Sequence, residues 1–478
     1  MRSKELASTP IEAGRGVSAA RLRGLGSSPN GPPGSTVEAR LEHIDGRPVA
    51  LFKLEGGPHR GALGPSEGEA IERLVQVAIG DGLPIVGVVS SSGADMREGI
   101  ASLHAWGRVA HQLARASGSV PIVLAVTGPY VSGPALLAGI ADHVVMTVDA
   151  FAYVTGPHAV EGFTGEVLDP VSLGGAVIHD AKSGVVSLLA EDEDDAMAAV
   201  ADLLSYLPLN TLEEPPRMRC DDPLTRDCAA AASAVPTGPR ASYDIRAVVT
   251  DIVDGSSFLE VRVRYAPNMV TGYGRLDGQA IGIVANQPHH RAGTIDIEAS
   301  RKAARFVQSC DTFNIPLLTV VDTPGFEPGK DLEWRGMIRH GAELVFAYGE
   351  ATVPRLCLVV RKAYGGAYIV MDSRGLGSDF CAAWPGAEIA VMGASGAVQI
   401  LSGKRLAGLD NDARELEQAA LEADYTARYC APYVAAERGY IDDVIDPRQT
   451  RRVLAGALGH LAAKREHLPD RRHSNTPL

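Results

Sequence analysis

Cysteine is scarce in this 478-residue chain, and none of its six residues forms a Cys-x-x-Cys pair. Cys220, Cys228, Cys310, Cys357, Cys381 and Cys430 are scattered, which excludes a four-cysteine zinc site and a dithiol redox motif. The expectation is reduced thiols in a cytoplasmic protein. Aromatic residues make up 5% of the chain, too few for the stacking platforms that hold single-stranded nucleic acid. Positive charge is in the minority: 45 Lys and Arg against 58 Asp and Glu leave a formal charge of -13. That balance argues against nucleic acid, although a local basic patch or a helix N-terminus can still hold a small phosphorylated ligand. No apolar run approaches the roughly 18–20 residues of a membrane span, and Met1 to Pro10 lack the apolar stretch of a signal peptide. A Gly-x-x-x-x-Gly-Lys-[Ser/Thr] loop is also missing, so Asp322-Thr-Pro-Gly325 reads as a strand-end turn rather than part of a nucleotide hydrolase. Neither a Ser-His-Asp pattern nor a metal-ligand spacing stands out. His289 and His290 are adjacent and would point to opposite faces of an extended segment.

What the chain has is glycine and proline, 52 and 30 residues, on a 45% hydrophobic background that can fill a sizeable core. Residues 1–36 read as a flexible lead-in, 209–241 as a Pro- and Ala-rich linker, and the charged tail 464–478 as frayed. Two blocks remain, 37–208 and 242–463.

The blocks repeat one order of elements. Each opens on an Asp-Gly turn between extended runs, Asp45-Gly46 and Asp277-Gly278. Helical patterns follow at 67–79 and 297–311, then apolar strands ending near Ser91 and Thr323. Second helices are expected at 100–116 and 334–347, and further strands run into glycine turns at Gly133 and Gly366. Alternating strands and helices predict an α/β fold of parallel sheets with right-handed crossovers. A period this long means a duplicated domain.

Ala363-Tyr-Gly-Gly-Ala-Tyr368 is the sharpest chemical signal. A Gly-Gly-Ala turn between strand and helix can aim successive backbone N–H groups at one point, with little side-chain bulk in the way. Two such donors form an oxyanion hole. A packing turn is the alternative reading of an isolated Gly-Gly. In the first block the matching turn is Gly128-Pro-Tyr-Val-Ser-Gly-Pro-Ala135. There Ser132 and Gly133 keep their N–H groups and Pro134 has none.

Further stretches carry a specific resemblance. They include Tyr273-Gly-Arg-Leu-Asp-Gly278, Cys310-Asp-Thr-Phe-Asn-Ile-Pro316, Val321-Asp-Thr-Pro-Gly-Phe-Glu-Pro-Gly329, Arg361-Lys-Ala-Tyr-Gly-Gly-Ala-Tyr368 and Ala383-Trp-Pro-Gly-Ala-Glu-Ile-Ala-Val-Met-Gly393. Together they resemble the carboxyltransferase (β) subunit of biotin-dependent propionyl-CoA and acetyl-CoA carboxylases. The second block matches throughout; the first matches more loosely, through Gly156-Pro157, Leu173-Gly-Gly-Ala176, His179 and Ser183-Gly184. The resemblance implies two tandem crotonase-like domains, an acyl-acceptor side at 37–208 and a biotin side at 242–463, in a homo-hexamer. It implies carboxybiotin delivered by a biotin carboxylase and biotin carrier partner, an acyl-CoA or related acceptor, no metal, and CO2 transfer through an enolate. It assigns the biotin ureido oxygen to the amides of Gly366 and Ala367 within a site that includes Tyr364 and Gly365. The thioester oxygen falls to the amides of Ser132 and Gly133, and Ile369 lines the acyl pocket.

Departures gather in the first block. Ser132-Gly133-Pro134 stands where the family has Gly-Gly-Ala, and Asp95 where it has Arg. Two readings of Asp95 stay open: a negative charge facing the CoA cleft, or a cap for the helix that follows. Biotin-dependent decarboxylation and a degenerate scaffold subunit are the alternatives to carboxyl transfer.

Overall fold

The computed structural model describes residues 37–57, 59–238 and 241–477; the lead-in expected at 1–36 lies outside the described residues. The first half is one sheet. Its strands are β1 (Val37–Ile44), β2 (Arg47–Leu54), β3 (Ile85–Ser91), β4 (Ile122–Val131), β5 (His143–Thr147), β6 (Phe151–Tyr153) and β7 (Leu188–Ala190). They lie in the order β1-β2-β3-β4-β5-β7, with β6 beside the end of β4. The second half repeats the plan with one added edge strand. Its strands are β8 (Leu259–Val261), β9 (Met269–Leu276), β10 (Gln279–Asn286), β11 (Leu317–Thr323), β12 (Arg355–Tyr364), β13 (Phe380–Ala383), β14 (Glu388–Ala390) and β15 (Asp443–Val444). The order is β15-β13-β12-β11-β10-β9-β8, and β14 lies beside β12.

The Asp-Gly pairs make the hairpins that open each half. Asp45 and Gly46 have φ of 46° and 76°, and Asp277 and Gly278 have 56° and 73°. Two successive positive φ values give the turn whose twist suits antiparallel strands. Beyond the hairpins β2-β3-β4-β5-β7 and β10-β11-β12-β13-β15 are parallel. Helices Pro65–Asp81, Ile100–Ala116 and Ile297–Thr312 cover their expected stretches. The expected helix at 334–347 is instead a short turn, Lys330–Trp334, and then Met337–Glu350. Gly336, at φ 96°, separates them because a left-handed residue cannot continue a right-handed helix.

One irregularity recurs and positions the glycine turns. The β3–β4 register shifts between Val89 and Ser91, bringing Ser91 opposite Tyr130. The β11–β12 register shifts between Val321 and Thr323, bringing Thr323 opposite Ala363. A bulge of this kind re-aims the strand beyond it. On their other edge the last residues of β4 and β12 pair with β6 and β14 in place of β5 and β13.

The halves share a core. One buried cluster runs from Val49, Val86 and Val123 of the first sheet through Leu203 and Tyr206 to Tyr273, Phe306 and Val359 of the second. Within it, buried His143 holds Ser187 Oγ through Nδ1 (3.1 Å) and the Tyr273 hydroxyl through Nε2 (2.8 Å).

The linker expected to be loose is packed over its described residues. Asn314 Nδ2 donates to Thr211 O (2.8 Å), and Asn210 Nδ2 donates to Gly82 O (3.1 Å). Arg226 pairs with Asp222 and Asp251, and buried Cys228 precedes helix Ala229–Ala234. Local composition does not record these partners: Gly82 and Asn314 lie more than 100 residues from the linker groups they meet, and Asp251 lies 25 residues from Arg226. The tail is docked as well: Arg471 pairs with Glu350 (2.7 Å) and Ser474 Oγ donates to it (2.8 Å).

Candidate active site

In open parallel sheets, ligands meet the protein beyond the carboxyl ends of the strands. Both glycine turns lie there. Tyr364, extended at φ -111° and ψ 135°, leads from β12 into the short helix Gly365–Val370. Gly365 adopts φ 61°, where a Cβ would lie 3.2 Å from Val391 O. Gly366 is exposed and Ala367 is buried. A helix leaves the N–H groups of its first turn without intrahelical partners, so Gly366 and Ala367 carry two neighbouring donors, the first of them in an exposed residue. Ile369, 44% exposed, follows two residues later. The Tyr364 hydroxyl donates to the Glu388 carboxylate and is held protonated by burial and by that partner.

Beneath this turn lies a buried ionic network. Asp322, at the end of β11, accepts from Arg361 Nε (2.9 Å), the Tyr243 hydroxyl (2.8 Å) and Lys362 N (3.2 Å). The Arg361 guanidinium also lies 4.8 Å from the centre of the Tyr243 ring and donates to Ala241 O (2.8 Å). Burial pushes the Asp322 carboxyl up, and Arg361 opposes that shift. Sequence reasoning placed Asp322 in a turn and missed this anchor; Tyr243 lies 79 residues away in sequence, so no local pattern joins the two.

The first-half turn leaves its strand at the matching point, with a positive φ there as well, and has different chemistry. Ser132 adopts φ 67° and ψ -154° at the point corresponding to Gly365, and Gly133-Pro134-Ala135-Leu136 forms a 3-10 turn. Its donors are fewer than expected. Ser132 N–H donates to Tyr153 O (2.9 Å), which removes one of the two amides assigned to the thioester oxygen. Pro134, at the point corresponding to Ala367, has no N–H. Gly133 is the remaining donor, and Trp106 of helix Ile100–Ala116 packs against it. A Cβ on Gly133 would come within 2.9 Å of the indole ring. Trp106 Nε1 is buried without a hydrogen-bond partner.

Asp95 caps its own turn. Its carboxylate accepts from Arg97 N (3.0 Å) and from the Arg97 guanidinium (2.6 and 3.0 Å). Arg97 thereby holds the carboxyl down to about 2 and cancels its charge locally. The helix cap itself is Gly99, and the Asp95 carbonyl receives Ser102 Oγ (2.8 Å).

The turns belong to separate sheets. A further cavity of about 410 Å³ between the halves is lined by Arg262, Arg301, Lys302 and Arg305 and includes neither turn. Among the described residues no group of three or more His, Cys, Asp or Glu is placed to hold a metal ion, and no helix is long and apolar enough to cross a membrane.

Comparison with known proteins gives a consistent picture. The family model described as carboxyl transferase domain matches residues 18–476. The propionyl-CoA carboxylase beta chain of Saccharopolyspora erythraea is 44% identical over 469 residues, covering 96% of this chain and 86% of that protein. The methylmalonyl-CoA decarboxylase subunit alpha of Veillonella parvula is 40% identical over 447 residues, covering 93% and 86%. Among solved structures, the transcarboxylase 12S hexamer with hydrolysed methylmalonyl-coenzyme A bound superposes with a TM-score of 0.89 at 40% identity, covering 93% of this chain and 85% of that one.

Proposed function

Because this chain belongs to the carboxyl transferase family, we propose that it is the carboxyltransferase of a biotin-dependent carboxylase, moving CO2 from carboxybiotin to the α-carbon of an acyl-CoA through an enolate. The observation that carries the reading is the turn repeated in both halves: a residue at φ 61° or 67°, then a glycine, at the end of a parallel strand.

A carboxylated biotin, carried on a partner subunit, supplies the CO2. The Gly365-Gly366 cradle suits its ureido ring, because Gly366 presents no side chain and a Cβ there would meet only Phe326, at 3.6 Å. The Gly366 and Ala367 amides hold the ureido oxygen as negative charge develops on it. Each such donor is worth about 3 kcal/mol in the transition state. Across the site, Gly133 N–H holds the thioester oxygen and favours the enolate over the ground-state carbonyl; the α-proton lost in forming it balances on the biotin nitrogen from which CO2 departs. The Asp322–Arg361 pair fixes the end of β12, which keeps the donors aimed. Ile369 presents an apolar surface suited to an uncharged acyl chain.

The partners in this reading are a biotin carboxylase and biotin carrier subunit, with the carboxyltransferase as a homo-hexamer. Large apolar side chains such as Trp334 (77% exposed) and Ile338 (84%) fit burial against other copies of the chain. The test is direct. Purified protein mixed with a carboxylated biotin carrier and propionyl-CoA should yield the carboxylated thioester. Loss of CO2 to solvent with no product would reject transfer. The Veillonella relative's name supports a second reading, in which the same turns serve decarboxylation of a carboxylated acyl-CoA. Incubating the protein with methylmalonyl-CoA and free biotin carrier measures that direction.

A further inference from the structure

The two turns carry unequal numbers of backbone donors. The second-half turn offers Gly366 and Ala367. The first-half turn offers Gly133 alone, since Ser132 N–H is held by Tyr153 O and Pro134 has none. At that place the only buried tryptophan nitrogen without a partner among the described residues comes into range. Of the chain's three tryptophans, Trp384 donates to Thr450 Oγ1 (3.0 Å) and Trp334 is exposed. Buried indole N–H groups normally find an acceptor. Trp106 Nε1 does not, and its ring lies against the Cα of Gly133, the residue that carries the turn's remaining donor.

We propose that the indole N–H of Trp106 is the second donor to the acyl oxygen at the first-half turn, replacing the amide that Pro134 lacks. This rests on the reading that a thioester carbonyl sits at Gly133. The distances permit it. Nε1 lies 3.1 Å from the position of a Cβ on Gly133, and Cβ and N of one residue are about 2.5 Å apart. The two nitrogens are therefore at most about 5.6 Å apart, a range that includes the roughly 5 Å between two donors that each lie about 2.9 Å from one oxygen along its lone-pair directions. The nitrogen is closed to water in the free protein, so the ring must shift slightly as the ligand enters. Such bonds commonly tighten only in the complex.

The test compares carboxyl transfer to propionyl-CoA by the wild type, Trp106→Phe, and Trp106→Phe with Pro134→Ala. Phenylalanine keeps an aromatic ring against Gly133 and deletes the donor. The expected result is a fall in kcat of about a hundredfold with little change in KM. Pro134→Ala should recover most of that loss by restoring a backbone N–H. A wild type that transfers to no CoA thioester overturns the functional reading and this inference with it. An active wild type with an equally active Trp106→Phe overturns this inference alone. Ultraviolet resonance Raman spectra of the wild type need no substitution. Adding the thioester should shift the indole hydrogen-bond band of one buried tryptophan, and bound thioester with no shift would also reject the assignment.

Discussion

Ser132 and Gly365 occupy the same point in the two halves. Each lies two residues past the last residue of its strand that pairs across the bulge, Tyr130 and Ala363, and each turns the chain with positive φ, 67° and 61°. One is glycine and the other is not. The family resemblance flagged that difference as a departure; the backbone shows what it does. A serine with ψ of -154° stands in a region that only glycine enters freely. It is held there by β6, whose Tyr153 carbonyl takes its N–H, and by contact with Gly93, where a Cβ would sit 3.0 Å from that of Ser132.

Ser132→Gly should therefore stabilise the protein. Residues in this region carry about 1–3 kcal/mol of strain, and glycine relieves it at the expense of some unfolded-state entropy. A net gain near 1 kcal/mol is expected, read as a higher urea midpoint with unchanged slope. A lower midpoint would mean that the serine hydroxyl makes up for the strain.

Ala367→Pro should abolish most activity and leave the fold intact. Ala367 is the third residue of helix Gly365–Val370, in the first turn, where proline breaks no intrahelical hydrogen bond, and the first half carries Pro134 at the matching position. What is lost is one N–H donor, worth about 3 kcal/mol, or roughly a hundredfold in rate. Thermal melting checks the fold and carrier-dependent turnover checks the donor. A folded variant with wild-type turnover would remove Ala367 from the site.

Much of this was legible in the sequence because it is encoded locally. Asp-Gly pairs fixed both hairpins, and the amphipathic pattern at 297–311 marked the helix that spans the shared core. The glycine turn at 365–366 announced itself. Three things were not legible. The linker 209–241 has a composition typical of mobile segments, yet Asn314, Asp251 and Arg451 fasten it from afar. Committing Ser132 N–H to Tyr153 depends on pairing of β4 with β6. Trp106 reads as one apolar position on a helix until packing sets it beside Gly133. Each is a long-range contact that a local pattern does not record.

Asp322→Asn should destabilise the second half. Arg361 is buried and Asp322 is its only carboxylate partner in the network described. Removing one member of a buried ion pair costs about 3–5 kcal/mol. The amide keeps the volume, so the loss reports charge rather than a cavity. Urea unfolding gives the size of the effect, and a change under 1 kcal/mol would show that Tyr243 and the backbone carry the anchor without the charge.

The chain alone should not carboxylate propionyl-CoA from bicarbonate and ATP. It contains neither a phosphate-binding loop nor a Met-Lys-Met biotin attachment tripeptide. Radiolabelled bicarbonate should enter the thioester only when biotin carboxylase and biotin carrier are added. Incorporation by the purified chain alone would contradict the division of labour proposed.

His143 should make the junction of the halves acid-sensitive. Burial, then the nearby charges of Arg262 and Arg305, holds its pKa well below the usual 6.5, so the ring is neutral between Ser187 and Tyr273. In the unfolded chain the same ring titrates near 6.5. Below that pH the unfolded state binds a proton that the folded state refuses, and stability falls as pH falls. Above 6.5 the contribution is complete and flat. The melting temperature should thus decline between pH 6.5 and 5 in the wild type. His143→Gln, which keeps a donor and an acceptor but does not titrate, should lower stability at pH 7.5 and flatten the decline. Parallel pH profiles for the two proteins would assign the acid sensitivity to other groups.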